Sequence, residues 1–129
     1  MLRVLVVDDQ VEVRTIISIV LRMNRFEVLE AATAASALKL FEQASFDLAI
    51  IDIFLQDTSG SDLIAALRAQ APGLPVIAIS GLDFLSDAPE LSDVVCLHKP
   101  FRPPDLMSAI GAAQGSRRQP ADALVAAAR

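Results

Sequence analysis

The 129-residue chain lacks, or has very little of, several sequence features on which disulfides, cysteine metal sites and membrane spans depend. Its one cysteine, Cys96, rules out an internal disulfide and a four-cysteine metal site. There is no Trp or Tyr, and no apolar run approaches the roughly 18 residues of a membrane span. The first residues run directly into Asp8 and Asp9 without a small-residue cleavage site, so we expect no signal peptide and a cytoplasmic protein.

Positive charge is also scarce. The 11 Lys and Arg residues stand against 16 Asp and Glu residues, which gives a formal net charge of −5. Neither a basic run nor a basic stripe occurs, so we expect no nucleic-acid partner and no membrane partner. Hydrophobic residues make up 53% of the chain, which is enough to bury a core at this length.

Apolar patterning predicts strands that alternate with helices. Short runs rich in Val, Ile and Leu predict buried strands at 2–7, 26–30, 48–51, 76–79 and 94–97. Helices are predicted over about 11–23 and after residues 33, 59 and 102. In the first helix we expect the apolar side chains at positions 13, 16, 17, 20 and 21 to face the sheet. This order predicts an α/β fold, a doubly wound five-stranded parallel sheet with helices on both faces.

The second half of the chain departs from regular alternation. Between the fourth and fifth strands only a weak, shortened fourth helix fits, near 83–87, because Pro89 interrupts it. We predict one domain over 1–114. Residues 115–129 are predicted to be a linker-like tail with a possible short helix.

Polar residues end the predicted strands. Asp8 and Asp9 follow the first strand, Asp52 the third, Ser80 the fourth and Lys99 the fifth. In an open parallel sheet the ligand crevice lies outside the carboxyl ends of the strands, where the strand order reverses. In the order 2-1-3-4-5 the first and third strands are neighbours, so the three aspartates would converge.

Three ionised carboxylates in one place need compensation. A hard divalent cation with oxygen ligands, Mg²⁺, would neutralise them, and Lys99, one of two lysines in the chain, supplies a second positive charge. A carboxylate beside both is a credible nucleophile toward a phosphoryl group. The hydroxyl of Ser80 could donate to a phosphoryl oxygen.

Five motifs together resemble the receiver domains of response regulators in two-component signalling. They are VLVVDD at 4–9, DLAIID at 47–52, Gly60, PVIAIS at 75–80 and HKPF at 98–101, and the resemblance covers about residues 2–113. It implies the flavodoxin-like receiver fold with strand order 2-1-3-4-5.

The resemblance also implies the roles of the site residues. Asp52 would accept a phosphoryl group from a histidine kinase or a histidine phosphotransfer protein. Asp9 would bind Mg²⁺ directly and Asp8 through water, and Phe54 would offer its backbone carbonyl to the metal. Ser80 would contact the phosphoryl group.

Lys99 would also contact the phosphoryl group, and the resemblance implies a cis peptide bond between it and Pro100.

Three features depart from the family pattern. Cys96 stands where an aromatic switch residue is usual, Gln56 replaces a common proline, and the segment between the fourth and fifth strands is short. We expect Cys96 to be a small buried core residue. His98 is expected to be a strand-end residue with one exposed edge.

Two further positions flank the phosphoryl group in such domains. Here they are Phe54 and Leu82, both apolar. We interpret them as lifetime-tuning residues that hinder the water attacking the phosphorylated state.

The leading interpretation is a single-domain response regulator that catalyses at most its own phosphorylation and dephosphorylation. Its output would be protein–protein contact or relay of the phosphoryl group to a phosphotransfer protein. A receiver-like scaffold that acts without phosphorylation is the first alternative. The second alternative is a magnesium-dependent aspartyl-phosphate phosphatase. Such an enzyme would typically carry a second aspartate at the position of Phe54 and a cap segment, and this sequence has neither. The interpretation as a flavin-binding domain depends on fold analogy alone, and the carboxylates of Asp8 and Asp9 would repel the phosphate of the flavin.

Overall fold

Five short runs rich in Val, Ile and Leu form the strands of one parallel sheet. In the computed structural model, which describes residues 1–81 and 94–116, they are β1 (Arg3–Val7), β2 (Glu27–Ala31), β3 (Leu48–Asp52), β4 (Val76–Ser80) and β5 (Val95–His98). Every neighbouring pair is parallel, and the order is β2-β1-β3-β4-β5. The predicted order is confirmed, as are the strands.

Helices cover both faces of this sheet. They are α1 (Val11–Met23), α2 (Ala34–Gln43), α3 (Gly60–Gln70) and α4 (Pro103–Ser116). Alternate residues of β1 point into opposite cores: Val4 and Val6 pack with α1 and α4, and Leu5 and Val7 pack with α2 and α3. The doubly wound α/β architecture is therefore confirmed.

Two hydroxyl side chains begin helices where the sequence predicts them. Thr33 Oγ1 accepts from the backbone N–H of Ser36 at 3.1 Å, at the start of α2. Ser59 Oγ accepts from the N–H of Asp62 at 3.1 Å, at the start of α3. Both satisfy a backbone donor that the first helical turn leaves without a partner.

The orientation of α1 differs from the prediction at one position. Ile17 and Leu21 are buried as expected, and Val13 and Val20 are partly buried, but Ile16 is 52% exposed. Ser18 is buried instead, so the face of α1 that packs on the sheet includes Ile17, Ser18 and Leu21 and leaves Ile16 outside. The expectation that Ile16 faces the sheet is therefore wrong.

The expectation that Cys96 is a buried core residue is also wrong, because its side chain is exposed. Among residues 1–81 and 94–116, β5 pairs only with β4 and is an edge strand. Leu97 points into the core shared with α4, and Cys96 and His98 alternate to the other face. Desolvation raises the pKa of the Cys96 thiol, which disfavours the reactive thiolate.

Several predicted features lie outside the described residues: the shortened fourth helix near 83–87, Leu82, and the tail from residue 117 onward. α4 continues through Ser116, two residues past the predicted domain boundary. None of the helices within 1–81 and 94–116 has the length and apolar character needed to cross a bilayer.

Candidate functional site

The three carboxylates lie together at the carboxyl end of the sheet. Asp8 and Asp9 directly follow β1, and Asp52 is the last residue of β3. β1 and β3 are parallel neighbours with Val7 opposite Ile51, so both strands end at the same crevice. One carboxylate oxygen from each aspartate lies within 4.8 Å of the others. Asp8 is fully buried and Asp52 is 4% exposed, so much of this charge is held away from water.

The ammonium group of Lys99 lies inside this acidic cluster. Its Nζ is 3.0 Å from Asp8 Oδ2 and 3.0 Å from Asp52 Oδ2, and it donates to Gln10 Oε1 at 3.0 Å. Partial burial alone would lower the pKa of Lys99, but its hydrogen bonds to Asp52 and Asp8 outweigh that effect and the pKa is raised. Lys99 is therefore a fixed positive charge at neutral pH.

Asp8 carries the electrostatic cost of this arrangement. Burial raises the pKa of its carboxyl group, because the ionised form loses hydration. The N–H of Gln10, which donates to Asp8 Oδ1 at 2.8 Å, opposes the shift, as does Lys99, and the charge of Asp52 adds to it. The net shift is upward, so an added cation would relieve the cost of keeping Asp8 ionised.

The donor set fits Mg²⁺. When all three aspartates are ionised, the cluster with Lys99 has an excess of two negative charges, since 3 − 1 = 2. Its ligand atoms are carboxylate oxygens, which hard divalent cations prefer, and they lie close enough together to share one ion. Asp9 is only partly buried, so waters could complete the coordination.

The loop after β3 orients Asp52 itself. The N–H of Phe54 donates to Asp52 Oδ1 at 2.9 Å. Phe54 also pairs with Ser59 in an isolated antiparallel bridge, and the N–H of Gly60 donates to the carbonyl of Ile53 at 2.7 Å. These contacts close residues 53–59, which we call the acceptor loop, directly beside the carboxylate.

The ends of β4 and β5 also lie at the crevice, because both strands run parallel to β3. Ser80 ends β4 and is fully buried, and the carbonyl of Ser80 accepts from the N–H of Lys99 at 2.8 Å. The Lys99–Pro100 peptide bond is cis. Because Asp52 is opposite Ile79 in the β3–β4 register, Ser80 follows one step beyond the acceptor position.

Two cavities flank Lys99. A polar cavity of about 410 Å³ is lined by two of the three aspartates and by Phe54; its lining residues are Asp9, Gln10, Asp52, Phe54, Gln56, Gly81 and Lys99. An apolar groove of about 320 Å³ lies between α1 and the chain after β5; its lining residues are Val13, Ile16, Lys99, Pro100 and Phe101.

Two contact residues at the site are absent from the sequence prediction. Gln10 occupies the N-cap position of α1, yet its side chain contacts Lys99 and caps nothing. A non-capping residue at a position that favours Ser, Thr, Asp or Asn was a usable signal. Asp57, in the acceptor loop, contacts α2 from 23 residues away, and no local pattern indicates that contact.

Comparisons with known proteins identify the family to which this fold belongs. Residues 4–111 match the family described as the response regulator receiver domain. Among curated proteins, the chain is 33% identical over 84 residues to the probable transcriptional regulatory protein TcrX of Mycobacterium tuberculosis, which covers 65% of the chain. It is 29% identical over 115 residues to the regulatory protein VanR of Enterococcus faecium, which covers 85% of the chain.

The chain spans about half or less of these curated relatives, 36% of TcrX and 48% of VanR. Among solved structures, the chemotaxis protein CheY4 of Vibrio cholerae superposes with a TM-score of 0.82 at 27% identity. That match covers 88% of this chain and 98% of CheY4. The family match over residues 4–111 agrees with the structural similarity to CheY4, and the chain belongs to the response-regulator receiver family of two-component signalling.

Proposed function

We propose that Asp52 accepts a phosphoryl group from a histidine kinase or a histidine phosphotransfer protein, with Mg²⁺ as cofactor. The observation that carries the proposal is the setting of this carboxylate. Oδ1 is held by the N–H of Phe54, Oδ2 faces Lys99 at 3.0 Å, and two further aspartates adjoin it. A nearly buried carboxylate held in this way is oriented for attack before the donor arrives.

In the proposed step, a carboxylate oxygen of Asp52 attacks the phosphorus of a phosphohistidine. The new P–O bond forms as the P–N bond breaks, and the released imidazole nitrogen takes up a proton. Asp8, Asp9 and Asp52 would hold Mg²⁺, with the backbone carbonyl of Phe54 as a further ligand. When bound, Mg²⁺ supplies positive charge for the phosphoryl oxygens.

Lys99 and Ser80 act on the negative charge of the phosphoryl group that is transferred to Asp52. Lys99 offsets the negative charge on the transferring oxygens, and the hydroxyl of Ser80 donates to one of them. The apolar groove borders Lys99, so a protein that delivers the group to Asp52 would contact that groove. Output then follows by protein–protein contact or by relay of the phosphoryl group, and the domain acts as a signalling module and not as a turnover enzyme.

The direct test is intact mass after incubation with acetyl phosphate and Mg²⁺. We expect one added phosphoryl group that depends on Mg²⁺ and is absent in Asp52→Asn, because the amide cannot form an acyl phosphate. Beryllofluoride with Mg²⁺ should raise the thermal midpoint of the parent protein and not of the variant. No adduct and no beryllofluoride response would contradict the proposal and favour the scaffold alternative.

We also propose that Phe54 and Leu82 lengthen the life of the phosphorylated state. The ring of Phe54 is 52% exposed and lines the polar cavity beside Asp52, where it can obstruct an attacking water. Phe54→Asn combined with Leu82→Glu should speed loss of the phosphoryl group about tenfold, equivalent to about 1.4 kcal/mol of barrier. The measurement is the decay of the phosphorylated mass after removal of the donor, and an unchanged decay rate would contradict this role.

A further inference from the structure

A carboxylate of the acceptor loop fastens that loop to the start of a neighbouring helix. Asp57 Oδ1 accepts from the N–H of Ala34 at 3.1 Å, and Asp57 Oδ2 accepts from the N–H of Ala35 at 3.1 Å. These are the first two residues of α2. Their N–H groups have no partner within the helix, and a carboxylate matches both them and the positive end of the helix dipole.

α2 is a firm anchor for this contact. Ala34 and Ala37 are buried in the core between α2 and the sheet. α2 also has its own cap, since Thr33 accepts from Ser36. The hydrogen bonds from Ala34 and then Ala35 lower the pKa of Asp57 and hold its carboxyl group ionised, although burial opposes the shift. α2 is therefore capped twice, once by its own Thr33 and once by the acceptor loop.

The other end of the acceptor loop is at the site. Phe54, three residues before Asp57, orients Asp52 through its N–H and would offer its carbonyl to the metal. Between the two ends, Leu55 is partly buried and packs against the core, while the side chain of Gln56 is exposed. The bridge to Ser59 and the packing of Leu55 hold one side of the loop, and the hydrogen bonds of Asp57 to α2 hold the other, so the position of Phe54 depends on both.

We propose that Asp57 is a positioning residue for the metal-binding acceptor site: by its paired hydrogen bonds to the start of α2 it fixes the acceptor loop in the shape that presents Phe54 to Mg²⁺. The proposal rests on the proposed function, because it assumes that Mg²⁺ binds beside Asp52. It assigns Asp57 no contact with the phosphoryl group.

The chain offers a matched control for the test. Asp57→Ala and Thr33→Ala each remove a side-chain cap from the first turn of α2, but only the first releases the acceptor loop. The apparent Kd for Mg²⁺ is measured by calorimetric titration and by the magnesium-dependent rise in thermal midpoint. Asp57→Ala should weaken Mg²⁺ binding about tenfold, as loss of a supporting contact around a metal site does. Thr33→Ala should leave the Kd unchanged while lowering the thermal midpoint.

Two further readouts separate positioning from general loss of stability. At saturating Mg²⁺ the rate of phosphorylation by acetyl phosphate in Asp57→Ala should return close to that of the parent protein. Asp57→Asn, which keeps one acceptor oxygen, should fall between the parent and the alanine variant in Mg²⁺ affinity. Equal Kd values for Asp57→Ala and Thr33→Ala would overturn the proposal, as would a rate that stays low at saturation. Failure of the proposed function is distinguishable, because the parent protein itself would then take up no phosphoryl group from acetyl phosphate.

Discussion

Gly60→Ala is expected to lower the free energy of unfolding by about 1–3 kcal/mol and to weaken the response to Mg²⁺. A Cβ at Gly60 would lie 2.4 Å from the carbonyl oxygen of Asp52 and 2.5 Å from Cα of Ile53. Both are backbone atoms of the segment that carries the acceptor, so no side-chain rotation can relieve the contact. The acceptor loop must move away from α3, and the 2.7 Å hydrogen bond from Gly60 to Ile53 must lengthen or break.

Gly111→Ala is the control for this substitution. Gly111 lies in α4, and a Cβ there meets no atom within 4 Å. The same chemical change should therefore stabilise the protein by about 0.5–1 kcal/mol, because alanine favours the helix over glycine. Urea unfolding followed by circular dichroism measures both variants. A Gly60→Ala protein as stable as the parent, with its Mg²⁺ affinity intact, would contradict the assigned close approach.

Much of the fold and of the candidate site could be predicted from the sequence, for a simple geometric reason. Strands buried on both faces appear as continuous apolar runs, and the residue that ends each run is polar. In a parallel sheet those ends share one edge, so Asp8, Asp52 and Lys99, far apart in the chain, are brought together once the strand order is known. The starts of α2 and α3 could also be predicted, because Thr33 and Ser59 are residue types that accept from the backbone N–H groups of a first helical turn.

The residues that escaped prediction are those whose environment depends on distant packing. Apolar spacing alone could not decide that Ser18 and not Ile16 would turn toward the sheet. Cys96 lies on an edge strand, and its burial depends on what covers that face and not on its own neighbours in sequence. The contact of Asp57 with α2 joins residues 23 apart through backbone donors, which carry no sequence signature.

Asp8→Asn is expected to stabilise the metal-free protein by about 1 kcal/mol or more at neutral pH. Burial raises the pKa of Asp8, so the ionised carboxyl group makes folding less favourable than a neutral group of the same shape would. Asparagine keeps an acceptor for the N–H of Gln10, and Lys99 keeps Asp52 and Gln10 as partners. The measurement is the free energy of unfolding by urea in the presence of a chelator.

The pH dependence of this advantage has a definite sign. Because the pKa of Asp8 is higher in the folded state than its ordinary value of 3.8, the folded parent protein binds more protons than the unfolded chain between the two pKa values. Its stability relative to Asp8→Asn therefore falls as the pH rises through that window. The advantage of the variant is full above the folded pKa and disappears below pH 3.8.

Mg²⁺ should act in the opposite direction on the same pair of proteins. At a concentration about 100 times its Kd, a bound ion stabilises the folded state by about 2.7 kcal/mol. The parent protein should gain this stabilisation, and Asp8→Asn, with one carboxylate fewer in the cluster, should gain less. Adding Mg²⁺ should then narrow or reverse the difference in the free energy of unfolding between the two proteins. If instead Asp8→Asn is less stable than the parent without metal, the pairing of Asp8 with Lys99 outweighs its burial, and the assigned direction of the pKa shift is wrong.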